Sequence, residues 1–144
     1  NDPPRIEPNG VDPTTFFVSI PQTLEPMGVA IFKVVQVSDP DRNDTLYAYW
    51  FLDYNGDPRD SFRFDQLSIG GNSQSDLRDV EFSCRISHRD RALKKDDSKK
   101  DLYVELELFV VDRKADLSWL DGDGIRKWPE GSSWSKWVWL LRVE

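Results

Sequence analysis

The chain has one histidine, His88, and one cysteine, Cys84. Nucleophilic catalysis needs a base within hydrogen-bond reach of the attacking group, and a third group to orient that base. Four residues apart on an extended strand, Cys84 and His88 stand about 13 Å from each other, too far to pair. A hydrolytic zinc centre uses about three protein ligands, usually with histidine among them, and one His with one Cys falls short. Among 26 acidic residues, nothing in the spacing singles out the two facing carboxylates of a glycosidase. No glycine-rich phosphate loop is present. These gaps predict a chain that catalyses nothing.

Binding chemistry is better represented. Asp39, Asp41 and Asp44 lie two and three residues apart in a turn-forming run. Calcium takes roughly six to eight hard oxygen ligands. These three carboxylates, with Asp2, could supply part of such a shell, although Asp and Asn also close tight turns without metal. Asp121-Gly122-Asp123-Gly124 looks like half of a calcium loop. Counted from Asp121, however, the twelfth position is Ser132 rather than the Glu of an EF-hand, and a surface turn is expected.

Trp119, Trp128, Trp134, Trp137 and Trp139 crowd the C-terminal end. Trp137 and Trp139 share one face of a strand and are expected to plug the core. Trp119, Trp128 and Trp134 are candidates for contact with a partner protein or a sugar face. From His88 to Asp101 the chain is net positive by two, and the remainder carries −9. Lys94 and Lys95 in this stretch are candidates for an acidic partner, against the simpler reading of a solvated, self-compensating loop.

The elements that must position these residues are strands. Seven segments alternate apolar and polar side chains with a period of two: 14–20, 29–37, 46–54, 61–69, 79–88, 102–111 and 134–143. Leu46, Ala48, Trp50 and Leu52 share one face of the third segment, and Tyr47, Tyr49 and Phe51 the other. Val80, Phe82, Cys84 and Ile86 point one way in the fifth, which makes Cys84 a small buried hydrophobe. Val29, Ile31, Val35 and Val37 are expected on one face of the second, with Ala30, Phe32 and Val34 opposite, as in a central strand. No helical period competes. About seven short strands predict an all-β, immunoglobulin-like antiparallel sandwich of two sheets spanning 14–144. Residues 1–13, with four prolines, read as an extended lead-in or linker.

Composition agrees with one well-solvated domain. The 144 residues are 38% hydrophobic and 31% charged, with eight Phe, six Trp and four Tyr. The net charge of −7 argues against nucleic acid, which needs clustered Lys and Arg. No apolar run approaches the ~18 residues of a transmembrane helix.

Two stretches resemble a known family. Asn1-Asp2-Pro3-Pro4 with Ile6, and Val37-Ser38-Asp39-Pro40-Asp41 followed by Asp44-Thr45-Leu46-Tyr47-Ala48-Tyr49-Trp50, look like the opening and the acidic turn of bacterial cadherin-like and polycystic-kidney-disease-type repeats. The resemblance covers about the first 55 residues. It implies an immunoglobulin-like module with Trp50 as the core tryptophan. It also implies a periplasmic or cell-surface location on the bacterial envelope, in a secreted parent or processed lipoprotein, with other envelope proteins as partners. Three functions follow as expectations: a structural or protein-docking module, a carbohydrate-binding module that holds polysaccharide on exposed tryptophans, or a spacer stiffened by Ca²⁺. No other cofactor is expected.

Overall fold

A computed structural model describes residues 2–20, 30–52, 62–71, 74–86, 102–115 and 128–143. These form nine strands: β1 (Arg5–Ile6), β2 (Val11–Asp12), β3 (Phe17–Ile20), β4 (Ala30–Ser38), β5 (Leu46–Leu52), β6 (Phe62–Ile69), β7 (Leu77–Ile86), β8 (Leu102–Val111) and β9 (Trp134–Val143). All seven expected segments contain a strand. The two additional ones lie in the proline-rich opening.

One sheet has β4 at its centre, with β7 on one side and β1 and β2 on the other; the second runs β3-β9-β8-β5-β6. The chain changes sheet five times, between β2 and β3, β3 and β4, β4 and β5, β6 and β7, and β7 and β8. This is an all-β sandwich of two packed sheets. The pairing is antiparallel except that β3 runs parallel to β9, so the larger sheet is mixed rather than wholly antiparallel.

The core between the sheets is built by alternation. Leu46, Ala48, Trp50 and Leu52 of β5 face it, as do Val80, Phe82, Cys84 and Ile86 of β7 and Val104, Leu106, Leu108 and Val110 of β8. At its centre Trp50 stacks on Trp139 of β9, with ring centroids 5.8 Å apart and planes 13° from parallel. Phe32 of β4 meets the same Trp139 edge-on at 5.4 Å. Aromatic packing thus links the sheets at mid-core, and Cys84 is buried on β7 opposite Phe32.

β4 departs from simple alternation. Its register against β7 shifts between Val34 and Gln36. A bulge of this kind changes which residues face inward. Phe32, Val34 and Val37 enter the core, while Ile31 and Val35 remain 48% and 38% exposed. The expected face of Val29, Ile31, Val35 and Val37 is therefore corrected: only Val37 of its described members is buried.

The opening residues are docked onto the sheet. β1 and β2 pair with β4 on either side of a 3-10 turn at Pro8–Gly10. Ile6 and Val11 are buried in the main core. A side chain at position 10 would meet the Gln36 backbone nitrogen at 2.8 Å, so glycine is required there for close approach. The indole N–H of Trp139 donates to the Pro13 carbonyl oxygen at 2.8 Å, which ties the end of this segment to the core.

Candidate functional site

The acidic turn after β4 is organised by a cation that belongs to the chain. Asp39 is buried, and its carboxylate accepts the Asp41 N–H at 3.0 Å. Arg78, the second residue of β7, points inward into the same turn. One guanidinium nitrogen lies 3.5 Å from the Asp39 carboxylate and donates to the Asp41 carbonyl oxygen at 3.0 Å. The other donates to the Asp44 carbonyl oxygen. Burial raises the Asp39 pKa, with the neighbouring Asp44 and Asp41 carboxylates adding to the rise; the Asp41 N–H and Arg78 oppose it.

The surroundings close the turn further. The Asp41 carboxylate accepts the Asp2 backbone N–H at 3.2 Å, and the Asp76 carbonyl oxygen accepts the Asp39 N–H at 2.8 Å. Gly71 lies so near the turn that an added Cβ would meet the Asn43 carbonyl at 2.6 Å. The residues expected as calcium ligands, Asp39, Asp41 and Asp44, all lie in this turn. Among the described residues no group of three or more His, Cys, Asp or Glu side chains is placed to hold a metal ion. The sequence signal for Arg78 was the parity of β7: the inward series 80, 82, 84, 86 extends back to residue 78.

The second feature is the outer face of the five-stranded sheet. Tyr49, Phe51, Phe109, Val111 and Ala115 form a second buried cluster there, with Tyr47 and Trp128 packed on it. The Trp128 ring lies 5.0 Å from Phe109, 5.3 Å from Tyr49 and 6.4 Å from Phe51. The buried Tyr49 hydroxyl accepts the Ala115 N–H at 2.8 Å, and burial raises the phenol pKa. Asp112 holds the two ends of the β8–β9 connection together, donating its N–H to Ser133 and accepting the Ser133 N–H on its carboxylate at 2.8 Å.

Two of the expected partner-contact tryptophans therefore differ in kind. Trp128 is half-buried and packs within its own chain. Trp134 is 42% exposed, with its ring 5.3 Å from Phe109 and tilted by 57°. Trp137 is partly buried against the main core and Trp139 wholly buried in it. Trp119, Lys94, Lys95, His88 and the Asp121–Gly124 turn lie outside the described residues.

Further along this face three aromatic side chains of the described residues are exposed. Phe17 on β3 stands opposite Leu140 on β9, and Tyr103 on β8 opposite Arg142. Phe16, Phe17 and Tyr103 are 57%, 45% and 52% exposed, and the Phe17 and Tyr103 rings lie 6.4 Å apart. Between this strip and the covered cluster sits an ion pair, Lys136 Nζ to the Glu107 carboxylate at 3.7 Å. The geometry offers three aromatic rings on a rigid sheet beside charged groups. That suits adhesion to another apolar surface.

No family model matches the chain, nor does any curated protein or solved structure.

Proposed function

We propose that this chain is a non-catalytic protein-docking module. It engages its partner through the β3-β9-β8 end of the five-stranded sheet. The observation that carries the reading is the strip of Phe16, Phe17 and Tyr103. Single exposed apolar side chains are ordinary on any surface, but grouped aromatic rings on a rigid element are the usual anchors of an interface. The chemistry calls for a partner with an apolar pocket or flat apolar patch, rimmed by polar groups that meet Arg142 and Glu105. The resemblance of the opening and acidic turn to bacterial immunoglobulin-like repeats supports an envelope or surface assembly as its setting. Among the described residues no helix is long and apolar enough to cross a membrane.

The test is cross-linking in native envelope, followed by capture with wild type and with the Phe17→Glu, Tyr103→Glu double variant. Both side chains are about half exposed, so the variant is expected to melt within a few degrees of wild type. Loss of a specific cross-linked partner with the fold intact supports the reading. An unchanged partner profile overturns it.

A further inference from the structure

β7 is one of two long edge strands, the other being β6 at the end of the larger sheet. Among the described residues the only strand partner of β7 is β4, so one side of its ten-residue backbone lacks a ladder. Proteins blunt such edges by keeping them short or by placing proline or lysine on them. The β1, β2 and β3 edges are two to four residues long, whereas β6 and β7 run for eight and ten. β7 contains neither proline nor lysine. From Phe82 to Ile86 it pairs residue for residue with Val34 to Ala30, and the register shift beyond leaves Val80 and Glu81 without Cα partners on β4. The inward-facing Arg78 lies at the far end, held by the acidic turn.

The exposed side of β7 carries a self-complementary pattern. Glu81 and Arg85 are exposed and flank the half-exposed Ser83 at equal spacing. We propose that two copies of this chain join β7 to β7, antiparallel, about a twofold axis through Ser83. In that register Glu81 of each copy stands opposite Arg85 of the other, and Ser83 opposite Ser83. On the inward side Val80 faces Ile86 and Phe82 faces Cys84, so apolar residues meet apolar residues and the core face of the small sheet runs on into the second copy. Cross-strand pairs of opposite charge stabilise a sheet and like charges destabilise it. An axis through Glu81 would set the two Glu81 side chains against each other. An axis through Phe82 would set the buried guanidinium of Arg78 against Ile86. The Ser83 register satisfies both faces.

A pairing of about seven residues falls short of the ~1,600 Å² of a standard interface. The dimer therefore forms as a function of concentration and is not a condition of folding. It uses the other sheet from the proposed docking face and stands independently of that reading.

Sedimentation equilibrium of the whole chain from about 10 to about 500 µM tests it, a range chosen for a small interface. Wild type is expected to shift from monomer to dimer across this range. Arg85→Glu and Glu81→Arg each place like charges opposite one another twice, and each is expected to raise the dimer Kd about tenfold or more. An equimolar mixture of the two variants restores opposite charges and is expected to recover association as a heterodimer. Both positions are exposed, and matching melting curves establish that the variants fold. A wild-type chain that stays monomeric throughout overturns the proposal, as does an Arg85→Glu variant that dimerises like wild type. Rescue by Asp79→Arg in place of Glu81→Arg overturns the Ser83 register.

Discussion

The guanidinium of Arg78 and the carboxylate of Asp39 lie 3.5 Å apart with both side chains excluded from solvent, at 1% and 0% exposure. A buried ion pair gains little over a well-packed apolar pair, but removal of one member leaves an uncompensated charge. Here the arginine also satisfies backbone carbonyls of Asp41 and Asp44. It therefore fastens the start of β7 to the turn between β4 and β5.

Arg78→Met is accordingly expected to cost about 3–5 kcal/mol at neutral pH by urea denaturation. The cost should depend on pH in a defined direction. Asp39 has a raised pKa in the folded chain, and loss of Arg78 raises it further. A carboxylate of this kind contributes fully to stability below its unfolded value, about 4, and loses that contribution as pH rises through the folded value. The deficit of Arg78→Met is thus smallest near pH 4 and widens toward neutrality. A deficit constant between these limits would show that Asp39 does not feel the arginine.

The same arrangement governs calcium. With a guanidinium already inside the acidic turn, addition of Ca²⁺ or excess chelator is expected to leave the melting temperature of wild type unmoved. A rise of several degrees with millimolar Ca²⁺, abolished by Asp39→Asn, would place an ion in the turn after all.

The alternating segments were legible because burial on a strand repeats every second residue. Both faces of β5 could be read directly: Leu46, Ala48, Trp50 and Leu52 lie in one core and Tyr49 and Phe51 in the other. β4 escaped in part because one register shift reverses the parity of everything beyond it, and an apolar run such as Val29–Val37 gives no sign of where that shift falls. β1 and β2 escaped because two residues carry no period. Ile6 and Val11 are buried, but their prolines and glycine read as a linker. Arg78 was hidden by chemistry: an arginine at an inward position looks like the end of a strand until its three oxygen partners, all from the turn between β4 and β5, come into view. The exposed strip of Phe16, Phe17 and Tyr103 joins positions more than 80 residues apart, and the pairing of β9 with both β3 and β8 brings them together.

Tyr49 offers a test of the second cluster. Its hydroxyl accepts the Ala115 N–H within a buried site, so Tyr49→Phe leaves that donor unsatisfied and is expected to cost about 1–3 kcal/mol. Burial also raises the phenol pKa. A group raised in the folded state contributes fully below its unfolded value, about 10, and loses that contribution as pH rises further. In a spectrophotometric titration of the native chain, one tyrosine is therefore expected to ionise last, and to be missing from the Tyr49→Phe titration. If all four tyrosines ionise together while the chain remains folded, the buried placement of Tyr49 is wrong.

The two described tryptophans of the outer face separate packing from recognition. Trp128 touches three rings of the second cluster, while Trp134 is 42% exposed and leans on Phe109. Truncation of a wholly buried tryptophan costs ~3–5 kcal/mol; the half-buried Trp128 is expected to cost about 2 kcal/mol or more as alanine. The Trp128→Ala chain should also bind a hydrophobic dye, because Tyr49, Phe51 and Phe109 lose their cover. Trp134→Ala removes a partly solvated ring and is expected to cost less than about 1 kcal/mol without exposing the cluster. If Trp128→Ala melts with wild type but loses a bound partner, the ring belongs to an interface. If it melts early while Trp134→Ala does not, Trp128 is the lid of an internal core, and the strip of Phe16, Phe17 and Tyr103 is left as the aromatic surface that a partner can reach.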